Sequence, residues 1–84
     1  MAYKMVLKKA FLKSMEQIDE PYYSKIKEAV YKLADNPRPI GYKKLKGRDE
    51  YRIRVGDYRI LYDIFDKELI IQVVQTGHRR DIYD

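Results

Sequence analysis

Between Tyr51 and Tyr62 the chain reads Tyr-Arg-Ile-Arg-Val-Gly-Asp-Tyr-Arg-Ile-Leu-Tyr, and this stretch permits few folds. Apolar or aromatic residues alternate with others on both sides of Gly56-Asp57. Alternation of period two is the pattern of a half-buried strand, and Gly-X between two such runs is a tight hairpin turn. A two-residue turn fixes the register. Val55 then faces Tyr58, Arg54 faces Arg59, Ile53 faces Ile60, Arg52 faces Leu61 and Tyr51 faces Tyr62. Directly opposite residues share a face. Tyr51, Ile53, Val55, Tyr58, Ile60 and Tyr62 therefore form one apolar face, and Arg52, Arg54 and Arg59 stand together on the other. A sheet carrying three guanidinium groups on one face suits an anion, because the guanidinium fork matches phosphate oxygens. A solvated outer face would show the same pattern, so the rest of the chain has to decide.

The two segments before the hairpin have helical periodicity. Phe11, Leu12, Met15 and Ile18 recur at helical spacing between Lys8 and Ile18. Asp19-Glu20-Pro21 breaks that pattern and opens a second helix, because proline is tolerated in a first turn. The second helix carries Tyr22, Tyr23, Ile26, Ala29, Val30, Leu33 and Ala34 on one stripe and stops at Asp35-Asn36-Pro37. So short a connection predicts an antiparallel helix pair. Tyr3 to Leu7 is a candidate first strand. After the hairpin, Asp66-Lys67 is a candidate turn into a strand from Glu68 to Thr76. Pairing Phe65 with Glu68 would set Tyr62 against Ile71 and Ile60 against Val73. Ile70, Gln72, Val74 and Thr76 would then join the arginine face.

The predicted class is α+β, with a two-helix N-terminal hairpin packed on a small twisted antiparallel sheet. Eighty-four residues make one domain with one modest core. Cysteine is absent, which removes disulfides and thiolate chemistry. Neither a signal-peptide core nor an apolar run of membrane length is present, so a cytoplasmic location with no membrane partner is expected.

The formal net charge is +5, which favours a polyanionic or acidic partner. Positive charge is densest between Arg38 and Arg48, where Lys43, Lys44, Lys46 and Arg48 follow two prolines and Gly41. That segment reads either as a solvated loop or as a clamp on a phosphate backbone. The chain closes with Gly77-His78-Arg79-Arg80-Asp81-Ile82-Tyr83-Asp84. In a meander the end of the last strand comes beside the start of the hairpin's second strand, near Arg59.

The chemistry open to these residues is narrow. One histidine and scattered carboxylates lack metal-ligand spacing, and the sequence implies no cofactor. No phosphate-binding glycine loop and no Ser-His-Asp arrangement is present. What remains is a set of guanidinium groups with His78 and Tyr83. Such a set can stabilise the extra charge of a phosphoryl transition state. RNA supplies its own nucleophile in the 2′-hydroxyl, so the protein needs a base, an acid and cations. Histidine is the side-chain type whose unperturbed pKa lies near neutrality, which makes His78 a candidate, and Tyr83 can serve if nearby arginines favour its ionised form. Either is a candidate base.

Nearly the whole chain resembles the RelE-type toxins of the RelE/ParE superfamily. The likeness runs in order through the two helices, Asn36-Pro37-Arg38-Pro39, Lys44-Leu45-Lys46-Gly47, Tyr51-Arg52-Ile53-Arg54, Tyr58-Arg59-Ile60-Leu61-Tyr62 and Gly77-His78-Arg79-Arg80-Asp81-Ile82-Tyr83. The resemblance implies a metal-independent endoribonuclease that cuts mRNA in the ribosomal A site. A cognate antitoxin would inhibit it in a hetero-oligomeric complex. It also implies roles: Arg59 for the transition state, Arg79 for the phosphate or leaving oxygen, Tyr83 or His78 for proton transfer, and Arg52 and Arg54 for the RNA backbone. Lys43, Lys44, Lys46, Arg48 and Arg80 would contact RNA, the linker lysines touching ribosomal RNA. Some members carry lysine where this chain has Arg52 and Arg54, and some continue into a terminal helix. The ParE branch shares the fold but inhibits DNA gyrase, and a basic RNA-binding module without catalysis is the remaining alternative.

Overall fold

The computed structural model describes residues 2–82, and Tyr83 lies outside them. Strands β3 (Tyr51–Val55) and β4 (Tyr58–Phe65) pair antiparallel in the register that the alternation requires. Val55 is opposite Tyr58, Arg54 opposite Arg59, Ile53 opposite Ile60, Arg52 opposite Leu61 and Tyr51 opposite Tyr62. Gly56 in the turn has φ +60, a conformation that favours glycine. The Tyr22 ring also lies so near that a Cβ there would sit 2.6 Å from its Cε1. Backbone and packing thus call for the same residue.

Strand β5 (Ile70–His78) returns along β4 with a longer connection than the sequence suggested. Phe65 pairs with Ile70, not with Glu68, and the turn spans 66–69 with Leu69 at φ +56. The difference is two residues, so side-chain parity survives. Ile71 and Val73 still face the apolar side, now opposite Ile64 and Tyr62. A register shift between Leu61 and Tyr62 then changes parity: Leu61 pairs with Gln75 and Ile60 with Thr76. Thr76, expected on the arginine face, is instead buried on the apolar one, and its Oγ1 donates to the Arg59 carbonyl at 2.9 Å.

Two short strands complete the sheet. β1 (Lys4–Leu7) runs parallel to β5, and β2 (Lys43–Lys44) runs antiparallel to β3, giving the order β1-β5-β4-β3-β2. The sheet is therefore mixed where an antiparallel one was expected. The parallel pair arises because the first strand lies beside the last, with both helices between it and the hairpin.

Helix α1 (Lys9–Met15) is shorter than its periodicity predicts, and three tight turns carry the chain on to Ile18. Phe11, Met15 and Ile18 are buried as expected, whereas Leu12 is exposed. Helix α2 (Tyr22–Lys32) begins after Pro21. The Glu20 carboxylate caps its first turn, accepting from the Ser24 N–H at 3.1 Å and the Ser24 hydroxyl at 2.7 Å. Ile26, Val30 and Leu33 join Phe11, Met15 and Ile18 over Ile53, Ile60, Tyr62, Ile71 and Val73 in one core.

A polar staple ties the linker to this body. The Asp66 carboxylate accepts from Arg38 through Nη2 at 2.9 Å and Nη1 at 3.3 Å, and from the Tyr3 hydroxyl at 2.7 Å. These bonds, Arg38 first and Tyr3 second, hold its carboxyl below the usual aspartate range. A carboxyl with a lower pKa folded than unfolded binds fewer protons in the native state. Its stabilisation is present above the ordinary aspartate value and is lost as pH falls through the native one. Urea unfolding at neutral pH should therefore show Asp66→Asn less stable than wild type. The gap should close as the medium is acidified below the ordinary aspartate pKa of about 3.9. A gap that does not change with pH would mean that the staple acts by packing alone.

Candidate phosphate site at the hairpin tip

The sheet face away from the helices carries Arg54 and Arg59, as the hairpin parity dictates. At the tip of the hairpin, Arg54, Arg59 and Arg79 line a cavity of about 160 Å³ together with Gly56 and Asp57. Arg54 and Arg59 meet there as a cross-strand pair. Arg79 reaches the cavity because β4 and β5 run side by side to His78, which pairs with Tyr58. The next residue then bonds to the turn: the Arg79 N–H donates to the Asp57 carbonyl at 2.7 Å. The Arg79 Nε lies 3.7 Å from Asp57 Oδ1. Among the described residues, three guanidinium groups and one carboxylate thus surround a space of phosphate scale, a suitable geometry for a charge-assisted, multidentate anion contact.

The same face is not open along its length. After His78 the chain turns back, with the Asp81 and Ile82 N–H groups donating to the His78 carbonyl at 2.8 and 3.2 Å. Ile82 is laid on the sheet and buried with Leu61 and Leu45, with Val74 packed beside them. It crosses Gly77 so closely that a Cβ there would sit 2.8 Å from Ile82 Cδ1. Arg59 Nη1 donates to the Ile82 carbonyl at 2.8 Å. The Arg59 guanidinium, one of the groups lining the cavity, is therefore positioned by the C-terminal segment.

The other expected site residues are distributed unevenly. Arg52, expected on an open face, is only 6% exposed, because it lies beside the second cluster and not at the rim. His78 falls on the other side of the sheet from Arg59. It faces Tyr58 edge-on with ring centroids 5.6 Å apart, and Tyr58 packs on Tyr22 from α2 at 5.2 Å. His78 Nδ1 accepts from the Arg80 N–H at 3.2 Å and from Arg80 Nε at 3.4 Å. Lys43, Lys44, Lys46 and Arg48 are exposed on β2 and the turn after it. Arg48 pairs with Glu50 at 3.1 Å. Among the described residues, no group of three or more His, Cys, Asp or Glu could hold a metal, and no helix is long and apolar enough to cross a membrane.

Asp57, Leu45 and Ile82 belong to this site, and their side chains carried no role in the sequence reading. Leu61 offered the available signal, since hairpin parity alone places that apolar residue among the arginines.

Helices on one side of a mixed sheet, with a cationic hairpin tip on the other, define a RelE-like toxin fold. A crystal structure of an archaeal RelE-RelB complex from Pyrococcus horikoshii superposes with a TM-score of 0.82, covering 94% of this chain and 97% of that one at 28% identity. A protein of Escherichia coli whose name places it among RelE-like toxins is 33% identical over 89 residues, covering 100% of this chain and 93% of its own. Toxin RelE3 of Methanocaldococcus jannaschii is 31% identical over 86 residues, covering 96% of each. The model of the ParE toxin of the type II toxin-antitoxin system, parDE, matches residues 5–83, and the chain belongs to that family.

The tail's hold on the cavity can be tested by Ile82→Ala. Burying a side chain of this size is worth about 1.5–3 kcal/mol. The loss should fall locally, so the amides of 78–82 should exchange faster with solvent while those of Ile60 and Val73 change much less. A uniform rise in exchange across the core would show that the second cluster supports the whole fold.

Proposed function

We propose that this chain is a type II toxin that cuts mRNA on the ribosome, and that the cavity at the hairpin tip holds the scissile phosphate. The observation that supports this is the convergence of Arg54, Arg59 and Arg79 on one small polar cavity. In this reading a base removes the proton of the 2′-hydroxyl and that oxygen attacks the adjacent phosphorus. The bond from phosphorus to the 5′-oxygen breaks, and that oxygen leaves with a proton. The product is a 2′,3′-cyclic phosphate. Arg59 stabilises the charge that accumulates on the phosphoryl oxygens, where a preorganised donor is worth about 10²–10³-fold in rate. Arg54 and Arg79 orient the phosphate. Tyr83 and His78 are the candidate bases; His78 lies across the sheet from Arg59, and Tyr83 lies outside the described residues. Lys43, Lys44 and Lys46 add a diffuse positive field for ribosomal RNA. Arg52 orders the strand beneath the site from its buried position. Catalysis would need no metal or cofactor.

The partner in this reading is a cognate antitoxin, as in the Pyrococcus relative solved as a RelE-RelB complex. An acidic segment of that antitoxin would complement the cationic face, and the complex would act in the cytoplasm.

Cleavage mapping tests the proposal. Purified protein is added to programmed ribosomes and to the same mRNA alone, and new 3′ ends are located. Cuts confined to the A-site codon are expected, with about a hundredfold loss in Arg59→Ala. Arg59 also holds the tail, so Arg54→Ala is run beside it and should weaken cleavage with the Ile82 contact intact. Uncut mRNA with altered supercoiling by gyrase would transfer the chain to the ParE activity. Uncut mRNA that is nevertheless bound would leave a basic binding module.

A further inference from the structure

We infer that Asp57 is a built-in counter-anion of the phosphate cavity, holding Arg79 in place while the cavity is empty and yielding it to an incoming phosphate. This rests on the nuclease reading only for the identity of the natural ligand. Asp57 is joined to Arg79 by two contacts of different kinds. The main-chain bond is short, 2.7 Å from the Arg79 N–H to the Asp57 carbonyl, and anchors the C-terminal segment to the hairpin turn. The side-chain contact is long, 3.7 Å from Nε to Oδ1, between groups 65% and 58% exposed. The first contact sets where Arg79 sits, and the second only occupies its charge.

A loose, solvated ion pair is easily exchanged, because water screens it and each partner stays hydrated. A phosphate placed between Arg54, Arg59 and Arg79 brings more negative charge and more acceptor oxygens than one carboxylate. It can take over the guanidinium while the carboxylate turns to solvent. Asp57 is also the one carboxylate among the described residues that line the cavity. Its position in the two-residue turn keeps it within reach of that cavity whatever the ligand. By this arrangement the Asp57 carboxylate weakens resting affinity for anions, while its carbonyl anchors the main chain of Arg79. It acts through Arg79 and is a positioning residue.

The test uses Asp57→Asn, which preserves shape and leaves the main-chain bond intact while removing the charge. Inorganic phosphate is titrated into the protein and followed through the arginine Nε–H signals by NMR. The variant should bind phosphate about three- to fivefold more tightly than wild type, the loss of one exposed ion pair. In an Arg79→Ala background the same substitution should change affinity little. For RNA cleavage the variant should lower KM, with kcat unchanged or reduced. Equal or weaker phosphate binding in Asp57→Asn would overturn the proposal. So would an equal gain in the Arg79→Ala background, which would make the effect a general change of charge. Tighter phosphate binding without RNA cleavage by any variant would leave the counter-anion standing and remove the nuclease reading. Cleavage with unchanged phosphate affinity would do the reverse.

Discussion

Arg54 and Arg59 face each other because only Gly56 and Asp57 separate the two strands at their turn, and this forced meeting organises the molecule. A like-charged cross-strand pair costs about 0.2–1 kcal/mol. The cost is accepted because the same register sets Ile53 against Ile60 and Tyr51 against Tyr62 on the opposite face. Ile60 and Tyr62 are wholly buried there. Each fully buried side chain of this kind contributes about 1.5–3 kcal/mol, so the apolar face outweighs the cationic one several times over. A slip of one residue would separate the arginines and expose the core residues together. Fold and site thus depend on one register, and neither can drift without the other.

The cationic face is stabilised in turn by a second, smaller core. Leu45 comes from the turn after β2, Leu61 from the central hairpin and Ile82 from the end of the chain. Three segments distant in sequence therefore meet beside the arginines. Their packing limits solvent around Arg59, and the Ile82 carbonyl accepts from its guanidinium at 2.8 Å. Restricted side chains lose less freedom when a ligand arrives, and charge acts more strongly where water is limited. The apolar cluster and the charge cluster are parts of one device, because the first limits the motion and hydration of the second.

Much of this could be read from the sequence wherever a local rule dominates. The hairpin register follows from alternation and a two-residue turn, and the start of α2 follows from Pro21, whereas its end at Lys32 comes before the expected stop at Asp35-Asn36-Pro37. The positions that escaped depend on distant contacts. The parity change at Thr76 comes from a bulge, which no alternation pattern announces. The burial of Arg52 depends on what covers its face, and α1 stops at Met15 to turn Ile18 into the core. The placement of His78 across the sheet from Arg59 follows from its pairing with Tyr58, a consequence of the same parity change between Leu61 and Tyr62. Asp57 escaped for another reason: its type explains a turn so well that a second role leaves no trace in the local pattern.

The distribution of charge is more informative than its sum. Arg38 is held by Asp66, Arg48 by Glu50 and Lys32 by Glu28, so these cations are engaged locally and add little directed field. The exposed lysines of β2 remain as a diffuse contribution at the sheet edge. The hairpin tip differs in kind, because its guanidinium groups come from β3, β4 and the segment after β5, and backbone pairing fixes their spacing. A scattered cation attracts any polyanion and is screened within about a Debye length, roughly 8 Å at physiological salt. A cluster with fixed spacing selects for the geometry of a single phosphate. Net charge accounts for attraction to polyanions in general, and the hairpin sets where on the protein its guanidinium groups converge.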